Sequence, residues 1–199
     1  VREAGGLVIS DEVQSGYCRS GHWWGYEVSD FEPDVVVTGK PMGAGVPLAA
    51  TVSKRAFVET FRQTGYFNTF ASSPLQAAVG LAVIDIIEEE NLAKNSSAVG
   101  SYLKSELKNY QQKYEVMGDV RGHGLFIAVD CIKANSNRKP DREMAVSIVE
   151  ALKEAGFLTG VAGSEGNVVK IRPPLVFGRQ DAENFLEAFK DCLRRLYGA

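Results

Sequence analysis

The chain has little of what would make it a disulfide, metal or membrane protein. Its three cysteines, Cys18, Cys131 and Cys192, are odd in number and unevenly spaced. That argues against a disulfide framework and for a reducing compartment. Its two histidines, His22 and His123, lie far apart in no metal-ligand spacing, so no metal site is expected. Long hydrophobic runs are missing as well. The longest, Ala77 to Ile87, is interrupted by Asp85 and is too short to span a bilayer. No signal peptide is expected. Neither sign of charge dominates: 22 Lys and Arg against 25 Asp and Glu leave −3, no electrostatic case for nucleic acid or an anionic membrane. Repeats and low-complexity segments are absent.

What is present is ordinary globular material: 199 residues, 45% hydrophobic and 24% charged. That suffices for one substantial core, or for one domain plus part of another. The opening Val1-Arg2-Glu3-Ala4-Gly5 lacks an initiator methionine, so the chain is expected to be cut from something longer.

The most informative stretch is Val35-Val36-Val37-Thr38-Gly39-Lys40-Pro41-Met42-Gly43. Three β-branched residues read as a strand buried on both faces. Thr38-Gly39 ends it, and Pro41 disfavours helical geometry at Lys40. Lys40 therefore falls at the carboxyl end of a strand, where open α/β sheets place their ligands. It is a candidate amine nucleophile; the alternative is an ordinary loop lysine in water. A Walker phosphate loop is excluded, because Asp34 and Pro41 stand where that motif needs Gly and Ser or Thr.

Gly6 to Val13 reads as another strand ending in acid, with about twenty residues before Val35, enough for the crossover between parallel strands. Asp11 and Lys40 then emerge at one sheet edge. Leu48 to Ser53 reads as a third strand and Lys54 to Arg62 as a short helix. Ser73-Pro74-Leu75-Gln76 predicts a capping box opening a helix that is apolar nearly all round through Ile87, hence deeply buried. Glu88-Glu89-Glu90 is a solvated helix end. Val99, Leu103, Leu107, Tyr110 and Tyr114 predict a surface helix with one buried stripe. Strands follow at Gly124–Cys131 and Val168–Ile171. A helix capped by Asp141 carries Met144, Ile148 and Leu152 to Gly156, and a last amphipathic helix carries Ala182, Phe185, Leu186, Phe189, Leu193 and Leu196.

Asp11, Gln14 and Lys40 at one edge suit pyridoxal phosphate, which needs a lysine to hold its aldehyde and a carboxylate to keep its ring nitrogen protonated. Val13, two residues beyond Asp11 in extended chain, points the same way and would press on the ring. Gln14 would donate to the phenolic oxygen. Without the lysine, Asp11-Glu12 would read as a solvated strand terminus.

Asp11-Glu12-Val13-Gln14-Ser15-Gly16 followed by Arg19-Ser20-Gly21 resembles the D-E-V-Q-x-G-x-x-R-x-G run of class III pyridoxal-phosphate enzymes. Pro33-Asp34-Val35-Val36 leading to Gly39-Lys40-Pro41-Met42-Gly43 resembles that family's lysine segment. Phe67-Asn68-Thr69-Phe70 and Arg121-Gly122-His123-Gly124-Leu125 resemble two later motifs, so the likeness runs in order along essentially the whole chain.

The resemblance implies an α/β enzyme of fold type I. Residues 1–90 would be the C-terminal part of its cofactor-binding large domain, mainly parallel sheet with helices, and residues 91–199 its small α/β domain. It implies Lys40 as Schiff-base lysine and proton shuttle, Asp11 against the pyridinium, Val13 on the ring and Gln14 at the phenolic oxygen. Thr69 would be lent to the cofactor phosphate of a partner subunit in a homodimer; a turn-capping threonine is the alternative. The family's Gly-Gly-Asn-Pro is here Ala71-Ser72-Ser73-Pro74, and its carboxylate-binding arginine falls at Lys170. Lys170 and Arg172, on one strand face, are candidates for an anionic substrate or are solvated strand-end charges, and lysine lacks arginine's fork.

The expected function is amino-group transfer between an amine or amino acid and an oxo acid, with pyridoxal 5'-phosphate as cofactor. Gly-Lys-Pro-Met-Gly with Phe-Asn-Thr is also similar to the branch of amine phospho-lyases, which eliminate phosphate from phosphoethanolamine- or phospholysine-like substrates. A third reading is a non-catalytic fragment that only dimerises or binds small molecules. These residues alone are expected to be inactive and to bind cofactor poorly. The cytoplasm or the mitochondrial matrix is the expected compartment.

Overall fold

A computed structural model describes residues 1–198. The chain divides into two compact units, Val1–Ala93 and Lys94–Ala199. Each is a mixture of sheet and helix, the α/β class expected.

In the first unit β1 (Ile9–Asp11), β2 (Val35–Thr38) and β3 (Ala50–Ser53) form one sheet in that order. β1 and β2 are parallel, with Asp11 opposite Val37; β2 and β3 are antiparallel. The register is held at both ends. Below the sheet edge, Asp34 Oδ2 accepts from Val8 N–H at 2.8 Å and from Arg2 Nε at 3.1 Å. Beyond Asp11, Glu12 N–H donates to Val37 O at 2.8 Å and extends the ladder by one step. The run Val35–Val37 is half-buried rather than covered on both faces, because on the sheet side of Ile9 and Asp11 those residues are exposed.

Two helices follow, α1 (Arg55–Arg62) and α2 (Pro74–Glu89). Pro74 opens α2 as expected, but no capping box forms: the Ser73 side chain makes no cap bond. Gln76, the would-be reciprocal partner, donates instead to Pro47 O at 2.7 Å. α2 is also not deeply buried. Only Gly80 and Ile87 are covered, whereas Leu75 is 72% and Leu81 62% exposed. Among the described residues its packing partner is the turn Lys40–Gly43 with the loop behind it, where a Cβ on Gly80 would come within 2.8 Å of Leu48 Cδ2.

The second unit contains α3 (Leu92–Gln111, which begins in the first unit), β4 (Met117–His123), β5 (Phe126–Cys131), α4 (Arg142–Glu154), β6 (Gly160–Ala162), β7 (Val168–Ile171) and α5 (Arg179–Tyr197). The sheet order is β4-β5-β7-β6 and every pairing is antiparallel. One core joins Leu103 and Leu107 of α3, Ile127 and Val129 of β5, Ile148 and Leu152 of α4, and Phe185 and Phe189 of α5. The 3.6-residue stripes read from the sequence face this core except at Leu196, which is exposed. Asp141 caps α4, its Oδ1 accepting from Met144 N–H at 3.0 Å. Two strands have no sequence signal: β4 (Met-Gly-Asp-Val-Arg-Gly-His) mixes glycine and charge, and β6 has only three residues. No helix among the described residues is long and apolar enough to cross a membrane.

Candidate active site

The parallel pairing puts Asp11 and the start of the lysine turn at one edge of the first sheet, since Lys40 lies three residues after the partner of Asp11. Backbone sterics shape that turn. Pro41 bars the right-handed helical region for its predecessor, and Lys40 sits at φ +35° after a fully extended Gly39. A non-glycine residue at positive φ costs about 1 kcal/mol or more and persists where the surroundings dictate it. Pro41 and Met42 then close a 3-10 turn, with Met42 N–H donating to Gly39 O at 2.9 Å.

Lys40 is exposed and makes no hydrogen bond or ion pair among the described residues. It lines an open cavity of about 810 Å³ with Pro47, Tyr66, Asn68, Phe70 and Gln76. The Gln76–Pro47 hydrogen bond ties two of its lining residues together. Asp11 is exposed too, and one of its carboxylate oxygens accepts from Val13 N–H at 3.1 Å. That bond turns the chain immediately after β1. Val13 and Gln14 are therefore in a turn and half-buried, and Val13 does not continue Asp11's face as extended chain would. Asp11, Val13, Gln14 and Thr69 lie outside the walls of the Lys40 cavity.

Glu12 points the other way. It is 1% exposed and accepts from Ser10 Oγ (2.7 Å), Ser15 Oγ (2.6 Å), Gly25 N–H (2.7 Å) and Tyr26 N–H (2.9 Å). Burial works to raise its pKa, but the hydroxyl and backbone donors outweigh burial and hold it below the usual glutamate range. The sequence assigns Glu12 no role beyond its place in the acidic end of the strand. Two nearby serines and the glycine at position 25 were the available signal.

In the 66–72 loop the turn is capped by Asn68, whose Oδ1 accepts from Phe70 N–H at 2.9 Å. Thr69 is exposed and its hydroxyl makes no hydrogen bond among the described residues, so turn capping is not its role. Lys170 and Arg172 belong to the second unit. β7 ends at Ile171, so Arg172 is the first residue beyond the strand. Lys170 is half-buried between Ala128 and Gly160, whereas Arg172 lines a 300 Å³ cavity with Phe157, Thr159, Pro174 and Phe185. No cluster of metal-ligating side chains occurs among the described residues.

Lys40 and Asp11 thus lie near the C-terminal ends of neighbouring parallel strands in an α/β protein. Residues 1–193 match the family described as aminotransferase class III, and the chain belongs to that family. It is 42% identical over 196 residues to the mitochondrial alanine–glyoxylate aminotransferase 2 homolog 2 of Arabidopsis thaliana, covering 98% of this chain and 41% of the relative. It is 38% identical to the ethanolamine-phosphate phospho-lyase homolog 1 of Caenorhabditis elegans, covering 97% and 42%. A phospholyase from Arthrobacter, solved with phosphoethanolamine, matches at a TM-score of 0.93 and 42% identity, over 96% of this chain and 46% of that one. The chain thus spans about two-fifths of the length of these curated relatives.

Proposed function

We propose that the chain is the lysine-bearing part of a class III aminotransferase that moves an amino group between an amine or amino acid and an oxo acid. Membership of the family implies pyridoxal 5'-phosphate, and the donor set at the sheet edge fits it. When bound, that group supplies an aldehyde to capture amines and a ring that accepts an electron pair from the adjacent carbon. With that group bound, Lys40 would hold it through Nζ and would be the base that moves a proton at the amine-bearing carbon of the substrate. The positive-φ turn and the absence of a counter-ion among the described residues support this role: Lys40 lines an open cavity and is not spent on an ion pair. Asp11 would pair with the ring nitrogen, Gln14 would contact the phenolic oxygen, and Val13 would pack on the ring face.

Thr69 is assigned to the cofactor phosphate of a second subunit in a homodimer, which its exposure and its uncommitted hydroxyl support. Residues 1–90 serve as the C-terminal part of the cofactor-binding domain and residues 91–199 as the small domain. Of the two candidates for a substrate anion, Arg172 is preferred over Lys170, since it lines a cavity of its own unit. The compartment is the cytoplasm or the mitochondrial matrix, which the buried, unpaired cysteines and the mitochondrial name of the Arabidopsis relative support.

A second reading, elimination of phosphate from a phosphoethanolamine-like amine, is favoured by the likeness to the Arthrobacter phospholyase and by lysine at position 170. One assay separates them. Inorganic phosphate released from phosphoethanolamine with no oxo acid present selects the lyase; amino transfer that requires an oxo acid selects the transaminase. Lys40→Ala in the full-length protein should remove the visible absorption band of bound pyridoxal phosphate, and a band that survives overturns the assignment of Lys40.

A further inference from the structure

We propose that Glu12 is a positioning residue: its buried carboxylate sets the side from which Asp11 presents its own. The proposal rests on the reading of Asp11 as partner of the cofactor's ring nitrogen.

Two carboxylates stand side by side at the end of β1 with opposite fates. A carboxylate offers about four acceptor positions, and Glu12 has four donors. Oε1 takes Ser10 Oγ and Tyr26 N–H; Oε2 takes Ser15 Oγ and Gly25 N–H. No acceptor capacity remains for a substrate or cofactor, so Glu12 does no chemistry itself. Its donors come from β1, from the turn after it, and from the backbone thirteen and fourteen residues downstream. The side chain therefore ties the whole 13–26 excursion to the strand end.

The space around it is built to fit. A Cβ on Gly16 would lie 2.9 Å from Glu12 O and 3.2 Å from Glu12 Cβ. One on Gly25 would lie 2.6 Å from Ser15 Cβ and 3.0 Å from Glu12 Oε2. Glycine at position 25 lets its backbone N–H reach the carboxylate, and glycine at position 16 lets its N–H reach the Glu12 carbonyl at 3.1 Å.

Asp11 follows from this. Neighbouring residues of a strand point to opposite faces, and Glu12 N–H is held by Val37 O. With Glu12 anchored inward, Asp11 faces outward. Turning the chain at Asp11 away would pull Glu12 out of its pocket and leave two part-buried backbone N–H groups without their acceptor. The same anchor fixes the turn carrying Val13 and Gln14.

The test compares Glu12→Gln with Asp11→Asn in the full-length holoenzyme. Gln keeps the size of Glu but sets an NH₂ against donors, so half of the hydrogen bonds are lost. Three quantities are measured: amide exchange of residues 13–30, the dissociation constant for pyridoxal phosphate, and the pH midpoint of its visible band. Glu12→Gln should speed exchange in 13–30 at least tenfold, weaken cofactor binding at least tenfold, and move the band midpoint in the direction that Asp11→Asn moves it. Faster exchange with an unmoved midpoint and unchanged affinity would mean that Glu12 only supports the fold, and the proposal is overturned. If Asp11→Asn itself leaves the midpoint where it was, the cofactor reading fails and this inference with it. Should Glu12→Gln not fold, Ser15→Ala removes a single donor and decides the same comparison: a smaller midpoint shift of the same sign supports the proposal, and none overturns it.

Discussion

Gly100→Ala pits helix propensity against packing, and the two predict opposite signs. Gly100 lies inside α3, where replacing glycine by alanine ordinarily stabilises by about 1 kcal/mol. Here an alanine Cβ would sit 1.9 Å from Gly124 O and 2.2 Å from Gly124 C, both backbone atoms. Gly124 belongs to the turn between β4 and β5 and has φ +54°, so that turn cannot relax by adopting a more ordinary backbone. The helix itself would have to back away by about 1.5 Å to restore ordinary contact, an overpacking strain of roughly 1–3 kcal/mol or more. Two hydrogen bonds on the same helix face would go with it, Leu125 N–H to Ser96 Oγ at 3.1 Å and Lys104 Nζ to Gly122 O at 2.8 Å. Each contributes about 1 kcal/mol. The net is a destabilisation of about 3 kcal/mol after the propensity gain is subtracted. Amide exchange of β5 and β7 reads it locally, where a single midpoint for a chain with two units would not. Exchange there should accelerate roughly a hundredfold, at 1.4 kcal/mol per factor of ten. Unchanged or slower exchange would refute the close approach of α3 to the hairpin.

Two further outcomes follow from buried ionisable groups. The folded-state pKa of Glu12 lies below its ordinary value of 4.5, so the stability it contributes is present above that value and lost as pH falls through the depressed one. Trp23 and Trp24, in the segment it anchors, should report an acid transition by fluorescence that Glu12→Gln flattens; an identical transition in both proteins would contradict this. Burial, reinforced by Asp141 and Asp130, pushes the Cys131 thiol up to about 12, and burial with Glu27 pushes Cys18 up to about 11. Native protein at pH 8 should therefore alkylate with iodoacetamide at least about a hundredfold more slowly than denatured protein, and rapid native labelling of Cys131 would refute the burial.

The second unit was the more legible in sequence because its helices carry a one-sided apolar repeat that its own sheet satisfies. Leu103, Leu107, Ile148, Leu152, Phe185 and Phe189 recur at helical spacing and are all in one core. β4 escaped because its register depends on its neighbours: Val120 is buried opposite Val129 while Arg121, next to it, is held by Asp119 and Asp130. In the first unit Val35–Val37 gave the strand and Pro41 the turn, so the lysine's place at the sheet edge could be read. The side on which each acid points could not. Nothing in Asp11-Glu12 itself marks Glu12 as the buried acid until the backbone of Gly25 and Tyr26 is seen to converge on it.

α2 shows the limit of such reading most clearly. Its apolar residues run all round the helix, and that pattern means burial only if other elements surround it. Among the described residues α2 meets the lysine turn on one side, through Gly80 against Leu48 and Gln76 against Pro47, and leaves Leu75, Leu81 and Ile86 in water. Periodicity reports which faces a residue set can bury, not which are buried. A one-sided helix states its orientation because only one side is apolar; a helix without a polar side leaves orientation to whatever packs on it. The polar exception on α2 is therefore informative: Gln76, read as half of a capping box, is the residue that holds the wall of the lysine cavity.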